Sequence, residues 1–284
     1  MTRQRPAARG ERIAFQGELG AFSQQAARQL VGNRVEVLPC ERFEQVFRAV
    51  AEGQATGAAI PIENTLHGSV HENYDHLLNF DLRIVGETRV RIVHNLIAPP
   101  GLTFRQIRTV YSHPVALNQC RNFFAAHPEI RRETFYDTAG SVKMIMEKRP
   151  EGAAAIASAV AAEIYGAKIL RRSIEDDREN HTRFFLLRPP DHADPVIVGP
   201  AKTTVVFTTK NTPGALFRAL GALALRDLSL AKIESRPRRG RPWEYLFYLD
   251  FYGNVADPRV RNALGHLGEL ADFLRVLGCY AASK

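Results

Sequence analysis

The chain of 284 residues carries 38 lysine and arginine residues against 30 aspartate and glutamate residues, a formal net charge of +8. It is longer than most single hydrophobic cores, so we expect two or three folded units. No apolar run approaches the roughly 20 residues that a membrane-spanning helix needs. The cysteines Cys40, Cys120 and Cys279 are scattered without CxxC pairing, which favours a reducing compartment and argues against a zinc site.

The opening MTRQRPAARGER is rich in arginine and has no apolar segment, so it is not a secretory signal. We expect residues 1–11 to form a disordered tail, since an organelle transit peptide of this length would be unusually short. Together with the cysteine pattern, this predicts a cytoplasmic protein. The sequence also predicts no membrane partner.

The positive charge allows two interpretations. Outside the tail and the run SRPRRGR (235–241), the basic residues are dispersed, and no interleaved exposed aromatic motif accompanies them. This disfavours nucleic acid as a partner, because phosphate backbones select clustered basic residues. An anionic small substrate, drawn to a mildly positive cleft, fits the charge as well.

From residue 12 to residue 190, strand-like apolar runs alternate with helical patterns. Strands are predicted in RIAFQG, RVEVLP and TGAAIPI, and helices in AFSQQAARQL, FEQVFRAVAEG and VHENYDHLL. The extended runs LRIVGETRV and RIVHNLIAP follow, and the alternation restarts with IRTVYSH, PVALNQCRNFFAA, TFYDT, AGSVKMIMEK, GAAAIAS and AVAAEIYGA. The restart predicts two α/β lobes, the second at about 95–170, with a ligand-binding cleft between them.

The proline-rich segment RPPDHADPVIVGPAK (188–202) predicts a linker at 191–201. Beyond it we expect strands in TTVVFTT, LSLAKIES, WEYLFYLDF and FLRVLGCY, and helices in PGALFRALGALALRD and ADPRVRNALGHLGELA. The order βαββαβ predicts a separate α+β, ferredoxin-like unit over residues 202–284.

Polar residues stand at the ends of four apolar runs. They are Glu63, Asn64 and Thr65 in AAIPIENTLHGS, Ser112 and His113 in TVYSHPVALNQC, Asp137, Thr138 and Ser141 in FYDTAGSVK, and Thr182 in NHTRFF. In the third run we expect Asp137 or Thr138 to cap a helix with Gly140 and Ser141 in its first turn. Amides and hydroxyls at helix starts make anion sites, but such residues, taken singly, are also ordinary caps.

Two other chemistries are disfavoured. His67 and His71 are four residues apart, but no third metal ligand is obvious, so no metal site is predicted. Cys120 has no base beside it in sequence and is better explained as a buried apolar residue than as a nucleophile.

The motifs occur together and in order, and they resemble one family. AFQGELGAFSQQAA, PIENTLHGSVHENYDHLL, LRIVGE, SHPVALNQC, DTAGSVK, AAIAS and NHTRF resemble the prephenate dehydratases. PGALF (213–217) and KIESRP (232–237) resemble the phenylalanine-binding motifs of ACT domains. The resemblance covers nearly the whole chain. It implies a two-lobed, periplasmic-binding-protein-like catalytic domain over 12–190 and an ACT regulatory domain over 202–284.

The implied activity is that of a carbon–oxygen lyase that converts prephenate to phenylpyruvate in phenylalanine synthesis. No cofactor is implied, because aromatisation supplies the driving force. The resemblance also implies a homodimer or homotetramer with L-phenylalanine as effector. Arogenate dehydratases share almost all of these motifs, and a non-catalytic amino-acid sensor is a further alternative.

In this family the threonine of the TRF motif is essential, which assigns a catalytic role to Thr182. Hydroxide is a poor leaving group, so a proton donor must reach the ring hydroxyl of the substrate. We favour Thr182 as the direct donor, although His113 or Glu63 as the acid, with Thr182 orienting the substrate, is open. Asn64 is the fourth candidate catalytic residue.

The remaining candidates would bind the substrate; they are Thr65, Ser112, Thr138, Ala139, Gly140, Ser141, Arg183 and Phe184. For Arg183 a structural ion pair is an equal alternative, and Phe184 packs against either the substrate ring or the core. Thr65 and His67 depart from the usual family residues; the threonine keeps a hydroxyl, whereas the histidine adds a titratable group near the cleft.

The resemblance implies a phenylalanine site in the ACT unit; its residues are Pro213, Gly214, Ala215, Leu216, Glu234, Ser235, Arg236 and Pro237. Free amides at the helix start would take the carboxylate of the amino acid. Glu234 would face its ammonium group, or pair with a neighbouring arginine.

Overall fold

The structure is a computed structural model that describes residues 10–193, 196–238 and 240–283. The predicted tail falls mostly on residues 1–9, and the predicted linker includes residues 194–195, which lie outside the described residues. The chain divides into two compact units. The first comprises Met1–Phe80 and Thr88–Leu186, and the second comprises Asp81–Glu87 and Leu187–Lys284. No helix of the described ranges has the length and apolar character needed to cross a membrane.

The first lobe of the first unit follows the predicted alternation. Its elements are β1 (Arg12–Gln16), α1 (Phe22–Val31), β2 (Glu36–Cys40), α2 (Phe43–Ala51), β3 (Gly57–Asn64), β4 (Gly68–Ser69) and α3 (His71–Asn79). Strand β1 pairs in parallel with both β2 and β3, and β4 folds back antiparallel on the end of β3. Strand β5 (Arg83–Arg91) comes next.

The second lobe has its own five-stranded sheet. Its elements are β6 (Asn95–Ala98), β7 (Thr109–Ser112), α4 (Pro114–Asn118), α5 (Arg121–Ala125), β8 (Arg131–Thr134), α6 (Thr138–Lys148), β9 (Ala153–Ala157), α7 (Ala159–Ile164) and β10 (Lys168–Arg171). The strand order is β10-β6-β9-β7-β8. Apolar side chains are buried on both faces of this sheet, as the continuous run AAAIA of β9 requires. Cys120 lies in one of these cores and is fully buried, as expected.

The single helix predicted over PVALNQCRNFFAA is wrong, because the chain forms two short helices there. The carboxylate of Asp176 accepts hydrogen bonds from the backbone N–H groups of Arg121 (2.8 Å) and Asn122 (2.9 Å). It therefore caps a new helix, α5, at the point where α4 has ended. The predicted strand TFYDT is also displaced, since β8 ends at Thr134.

Strand β11 (His181–Arg188) pairs with β3 and brings the NHTRF motif to the first lobe. The second unit then follows the predicted order βαββαβ. Its elements are β12 (Ala201–Thr209), α8 (Ala215–Ala224), β13 (Leu230–Pro237), β14 (Tyr245–Tyr252), α9 (Pro258–Leu270) and β15 (Ala271–Ala281). The strand order is β13-β14-β12-β15, and both helices contribute to the core on one face of the sheet.

Two contacts fix the segment Asp81–Glu87 within the second unit. Lys202 and Glu87 form a buried ion pair at 2.7 Å, and β15 pairs in parallel with β5 through Gly278 and Ile84. A Cβ added at Gly278 would overlap the backbone carbonyl oxygen of Ile84. The pairing therefore requires glycine at this position.

We expect Gly278→Ala to destabilise the second unit by about 1–3 kcal/mol, because the added methyl must push the two strands apart. Gly265 provides the matched control, since it lies within α9 and its added Cβ would meet no atom within 4 Å. Gly265→Ala should stabilise the helix by about 0.5–1 kcal/mol. Urea unfolding of the two variants measures both values, and equal midpoints would contradict the close approach of the strands.

Candidate active site

A cavity of about 600 Å³ lies within the first unit and is lined by residues of both lobes. The predicted site residues that line it are Asn64, His113, Thr138 and Thr182. The sequence motifs that carry these residues are separated by up to 118 positions, and the fold brings them to one cavity. Its volume suits a small-molecule ligand.

The side chain of Asn64 is held by several hydrogen bonds. Its Oδ1 accepts hydrogen bonds from the backbone N–H groups of Leu66 (3.0 Å) and His67 (2.9 Å). A backbone N–H can only donate, so these two contacts fix the orientation of the amide. The two hydrogens of its Nδ2 consequently face three acceptors, so that one hydrogen is shared: the hydroxyl oxygen of Thr182 at 3.0 Å, the carbonyl oxygen of His181 at 3.2 Å and Oδ1 of Asn180 at 2.8 Å.

Thr182 is largely buried and lies near the start of β11. Because Asn64 donates to its oxygen, the hydroxyl hydrogen of Thr182 is left to donate to a ligand in the cavity. A hydroxyl whose oxygen accepts a hydrogen bond from an N–H group is also a stronger donor, since neighbouring hydrogen bonds polarise one another. The geometry therefore suits the donor role inferred from the TRF motif.

The series of hydrogen-bonded side chains continues from Asn64 through Asn180. The Nδ2 of Asn180 donates to Oε1 of Gln119 at 3.0 Å, and Nε2 of His94 lies 2.9 Å from the same oxygen. Gln119 and His94 line the cavity, and neither was among the predicted site residues. Only Gln119 carries a sequence signal, because it lies within the quoted motif SHPVALNQC.

His113 caps α4. Its Nδ1 accepts from the backbone N–H of Val115 at 3.3 Å, which leaves the proton of the neutral ring on Nε2. Burial lowers the pKa of His113, and the nearby His67 lowers it further. Near pH 7 the ring is therefore neutral and suited to donate a hydrogen bond rather than to act as a charged acid.

Three predicted hydroxyl groups are occupied by the backbone. Thr65 Oγ1 donates to the carbonyl of Glu179 at 2.7 Å and accepts from the N–H of His181 at 3.0 Å. Ser112 Oγ donates to the carbonyl of Ile156 at 2.6 Å, and Ser141 Oγ donates to the carbonyl of Thr138 at 2.5 Å. The hydroxyls of Thr65 and Ser112 join distant parts of the chain, whereas that of Ser141 bonds within α6; the predicted substrate contact of each stays a prediction.

The start of α6 is capped by an acid of the chain itself. Asp137 accepts from the backbone N–H of Gly140 at 2.6 Å, and burial raises its pKa. Ala139 is fully buried in the core. Thr138 is the member of the predicted set 138–141 that lines the cavity. The backbone N–H of Gly140, at the helix start that we expected to bind a substrate carboxylate, already donates to the carboxylate of Asp137.

Three further predicted residues, Glu63, Arg183 and Phe184, are not among the residues that line the cavity. Glu63 is partly buried and pairs with Ser69 in the β3–β4 register. The guanidinium of Arg183 stacks over the ring of Phe185 at 4.8 Å. Phe184 packs in the core with Ile92, and its predicted contact with the substrate ring stays a prediction.

The predicted phenylalanine-binding residues fall in two places of the second unit. Pro213, Gly214, Ala215 and Leu216 form the start of α8, where Gly214 is the N-cap with φ of 75°. Ala215 and Leu216 line a small cavity of about 120 Å³. Glu234, Ser235, Arg236 and Pro237 form the end of the edge strand β13, and Glu234 lies 3.5 Å from the ammonium of Lys232.

Among the described residues no group of three or more histidine, cysteine, aspartate or glutamate side chains is arranged to hold a metal ion. His67 and His71 belong to no such group among these residues.

Known proteins resemble the chain along almost its whole length. Arogenate dehydratase/prephenate dehydratase 2, chloroplastic, of Arabidopsis thaliana is 44% identical over 281 residues, which are 95% of this chain and 72% of the relative. The structure of the prephenate dehydratase of Arthrobacter aurescens in complex with L-Phe has a TM-score of 0.87 and 33% identity, and the match covers 95% of this chain and 90% of the other. A structure described as GqqA, a novel type of quorum quenching acylase, has a TM-score of 0.89 and 36% identity over 96% of this chain and 98% of the other.

These likenesses bear on two predictions. The predicted fold class, a two-lobed α/β part with an additional α+β unit, is confirmed. The prediction of a cytoplasmic protein is wrong: it rested on the cysteine pattern and the short tail, and the relative at 44% identity is chloroplastic.

The family model for prephenate dehydratase matches residues 13–192, the range that contains the whole cavity. The chain therefore belongs to the prephenate dehydratase family.

Proposed function

We propose that the chain is a dehydratase that removes CO2 and water from arogenate to give phenylalanine. The observation that carries this proposal is Thr182, which lines the cavity and whose hydroxyl oxygen accepts a hydrogen bond from Asn64 at 3.0 Å. The reaction needs a donor to a departing hydroxyl group, and this arrangement supplies one.

In the proposed step the ring carbon–carboxylate bond breaks, and its electron pair moves into the ring. The ring C–O bond breaks at the same time and the hydroxyl group leaves as water, with one proton taken up. Thr182 donates a hydrogen bond to the leaving oxygen, while Asn64 stabilises the negative charge that develops on the threonine oxygen. The neutral His113 provides a second N–H donor at the cavity.

The choice of arogenate rests on charge. Three carboxylates, those of Glu41, Glu72 and Asp137, line the cavity, against the single guanidinium of Arg42 among the described lining residues. Prephenate carries two carboxylates, whereas arogenate carries the same two and an ammonium group. A lining with this balance favours the substrate with the ammonium group, and the name of the relative at 44% identity includes arogenate dehydratase.

Prephenate is the second candidate, because the Arthrobacter aurescens neighbour, at 33% identity, is a prephenate dehydratase. Both substrates carry the same ring and the same two carboxylates. Only the group next to the side-chain carboxylate distinguishes them.

We expect the purified protein to turn over arogenate with a higher kcat/KM than prephenate. Thr182→Val should lower kcat by about 10²–10⁴-fold, because it removes the donor while keeping the shape of the side chain. Thr182→Ser keeps the hydroxyl and should retain most of the rate. Initial rates for both substrates measure these differences. An N-acyl amide is tested as a third substrate, because one structural neighbour is described as an acylase. A preference for prephenate would change the substrate, and an unchanged rate in Thr182→Val would overturn the mechanism.

We further propose that residues 202–284 act as an ACT regulatory domain that binds L-phenylalanine. Support comes from the neighbour in complex with L-Phe and from the small cavity at the start of α8, lined by Ala215 and Leu216. Phenylalanine would lower turnover by its differential affinity for two states of the protein. The homodimer or homotetramer implied by the resemblance stays a prediction.

We expect L-phenylalanine to raise the apparent KM or lower kcat by about fivefold or more, the usual range of allosteric coupling. Ala215→Trp should abolish this response without loss of basal turnover, because the indole fills the cavity. Ala256→Trp, at an exposed position of the same unit, is the control and should respond as the wild type does. The measurement is the rate at increasing L-phenylalanine. A full response in Ala215→Trp would contradict the assignment of this cavity.

A further inference from the structure

His94 is a buried histidine of the cavity to which the proposed reaction gives no role. Only 2% of its surface is exposed, and the edge of its ring meets Phe22 with 5.9 Å between the ring centroids. Its backbone N–H donates to Glu175 at 2.9 Å, and its side-chain Nε2 lies 2.9 Å from Oε1 of Gln119.

The direction of the His94–Gln119 hydrogen bond follows from the hydrogen-bonded side-chain amides of Asn64, Asn180 and Gln119. The backbone N–H groups that hold Asn64 fix its amide, and Asn64 in turn donates to Oδ1 of Asn180. Asn180 can then only donate to Gln119, so the Gln119 atom in this contact is the carbonyl oxygen. His94 must therefore carry its proton on Nε2.

The other ring nitrogen supports this assignment. Nδ1 of His94 is buried and has no hydrogen-bond partner among the described residues. Burial lowers the pKa of His94, so the ring is neutral near pH 7 and carries one proton. A buried acceptor without a partner is rare in proteins and calls for an explanation. Here the single ring proton lies on Nε2, where it is donated to Gln119, so Nδ1 carries none.

Two neighbouring residues, Glu175 and Asp176, anchor the backbones of His94 and Gln119. Glu175 accepts from the backbone N–H of His94, while the N–H of Asp176 donates to the backbone carbonyl of Gln119 at 2.7 Å. The backbones of both residues are thus anchored to one short segment of the charged run before the TRF motif. With the backbones fixed, the side-chain contact decides which end of the Gln119 amide faces the cavity.

We propose that His94 is a positioning residue: together with Asn180 it holds the carbonyl oxygen of Gln119, so that the Gln119 NH2 group points to the substrate. Two N–H donors on one oxygen make the flipped amide unfavourable, because the flip would place N–H groups against N–H groups. The Gln119 NH2 then serves as a fixed donor to an oxygen of the substrate. This inference rests on the proposed function, since it concerns the same cavity.

The test is a double-mutant cycle in the full chain. His94→Leu should lower kcat/KM by about 10–100-fold, because it releases the Gln119 amide. His94→Gln places an amide donor near the position of Nε2 and should recover most of this loss. In a Gln119→Leu background, His94→Leu should have little further effect, since the two residues act together. Additive losses would overturn the inference, because they would show that His94 does not act through Gln119.

Two controls separate this result from simple loss of folding and from failure of the proposed function. His127→Leu makes the same change at a histidine of the same unit that packs against Phe104 and Phe123 outside the cavity, and it should leave kcat/KM unchanged. Nitrogen-15 NMR of the wild type should show the Nε2–H tautomer for His94. The Nδ1–H tautomer would overturn the inference whether or not the protein turns over substrate, whereas absence of turnover with the expected tautomer would overturn the proposed function alone.

Discussion

The site depends on two backbone N–H groups, those of Leu66 and His67, which donate hydrogen bonds to the side-chain oxygen Oδ1 of Asn64. A backbone donor cannot reverse its role, so this short turn after β3 fixes every hydrogen bond that follows. The amide of Asn64 must donate to Thr182 and Asn180, and Asn180 must donate to Gln119. Preorganised donors of this kind need no rearrangement during a reaction, which is how enzymes gain most from polar groups in a water-poor cavity.

Much of the polar sequence around the cavity serves to hold this network. The hydroxyl of Thr65 joins the end of β3 to the residues before Thr182 by bonding the backbone of Glu179 and His181. Asp176 starts α5 and holds the backbone of Gln119. Because backbone groups must be satisfied wherever they are buried, these contacts stabilise the fold around the residues that we expect to contact substrate.

Charge sets the second constraint on the cavity. Asp137 occupies the start of α6, where an anionic substrate group would otherwise bind, and Glu41 and Glu72 add further carboxylates to the lining. The overall charge of +8 had suggested a positive cleft, yet the residues that line the cavity do not reflect the average of the chain. The substrate is therefore better inferred from the local lining than from the net charge.

The sequence by itself determined the order and type of most elements, because alternating strand and helix periods depend on neighbouring residues. It also indicated Asn64, His113, Thr138 and Thr182, since their motifs resemble a known family. The tertiary structure alone decided the rest. It divided the helix after Pro114 because Asp176, far along the chain, caps Arg121 and Asn122. It bound the hydroxyls of Thr65 and Ser112 to distant carbonyls and joined His94 to Gln119. A periodic pattern records which face of an element is buried, whereas a hydrogen bond between distant residues exists only once the fold has placed donor and acceptor within about 3 Å.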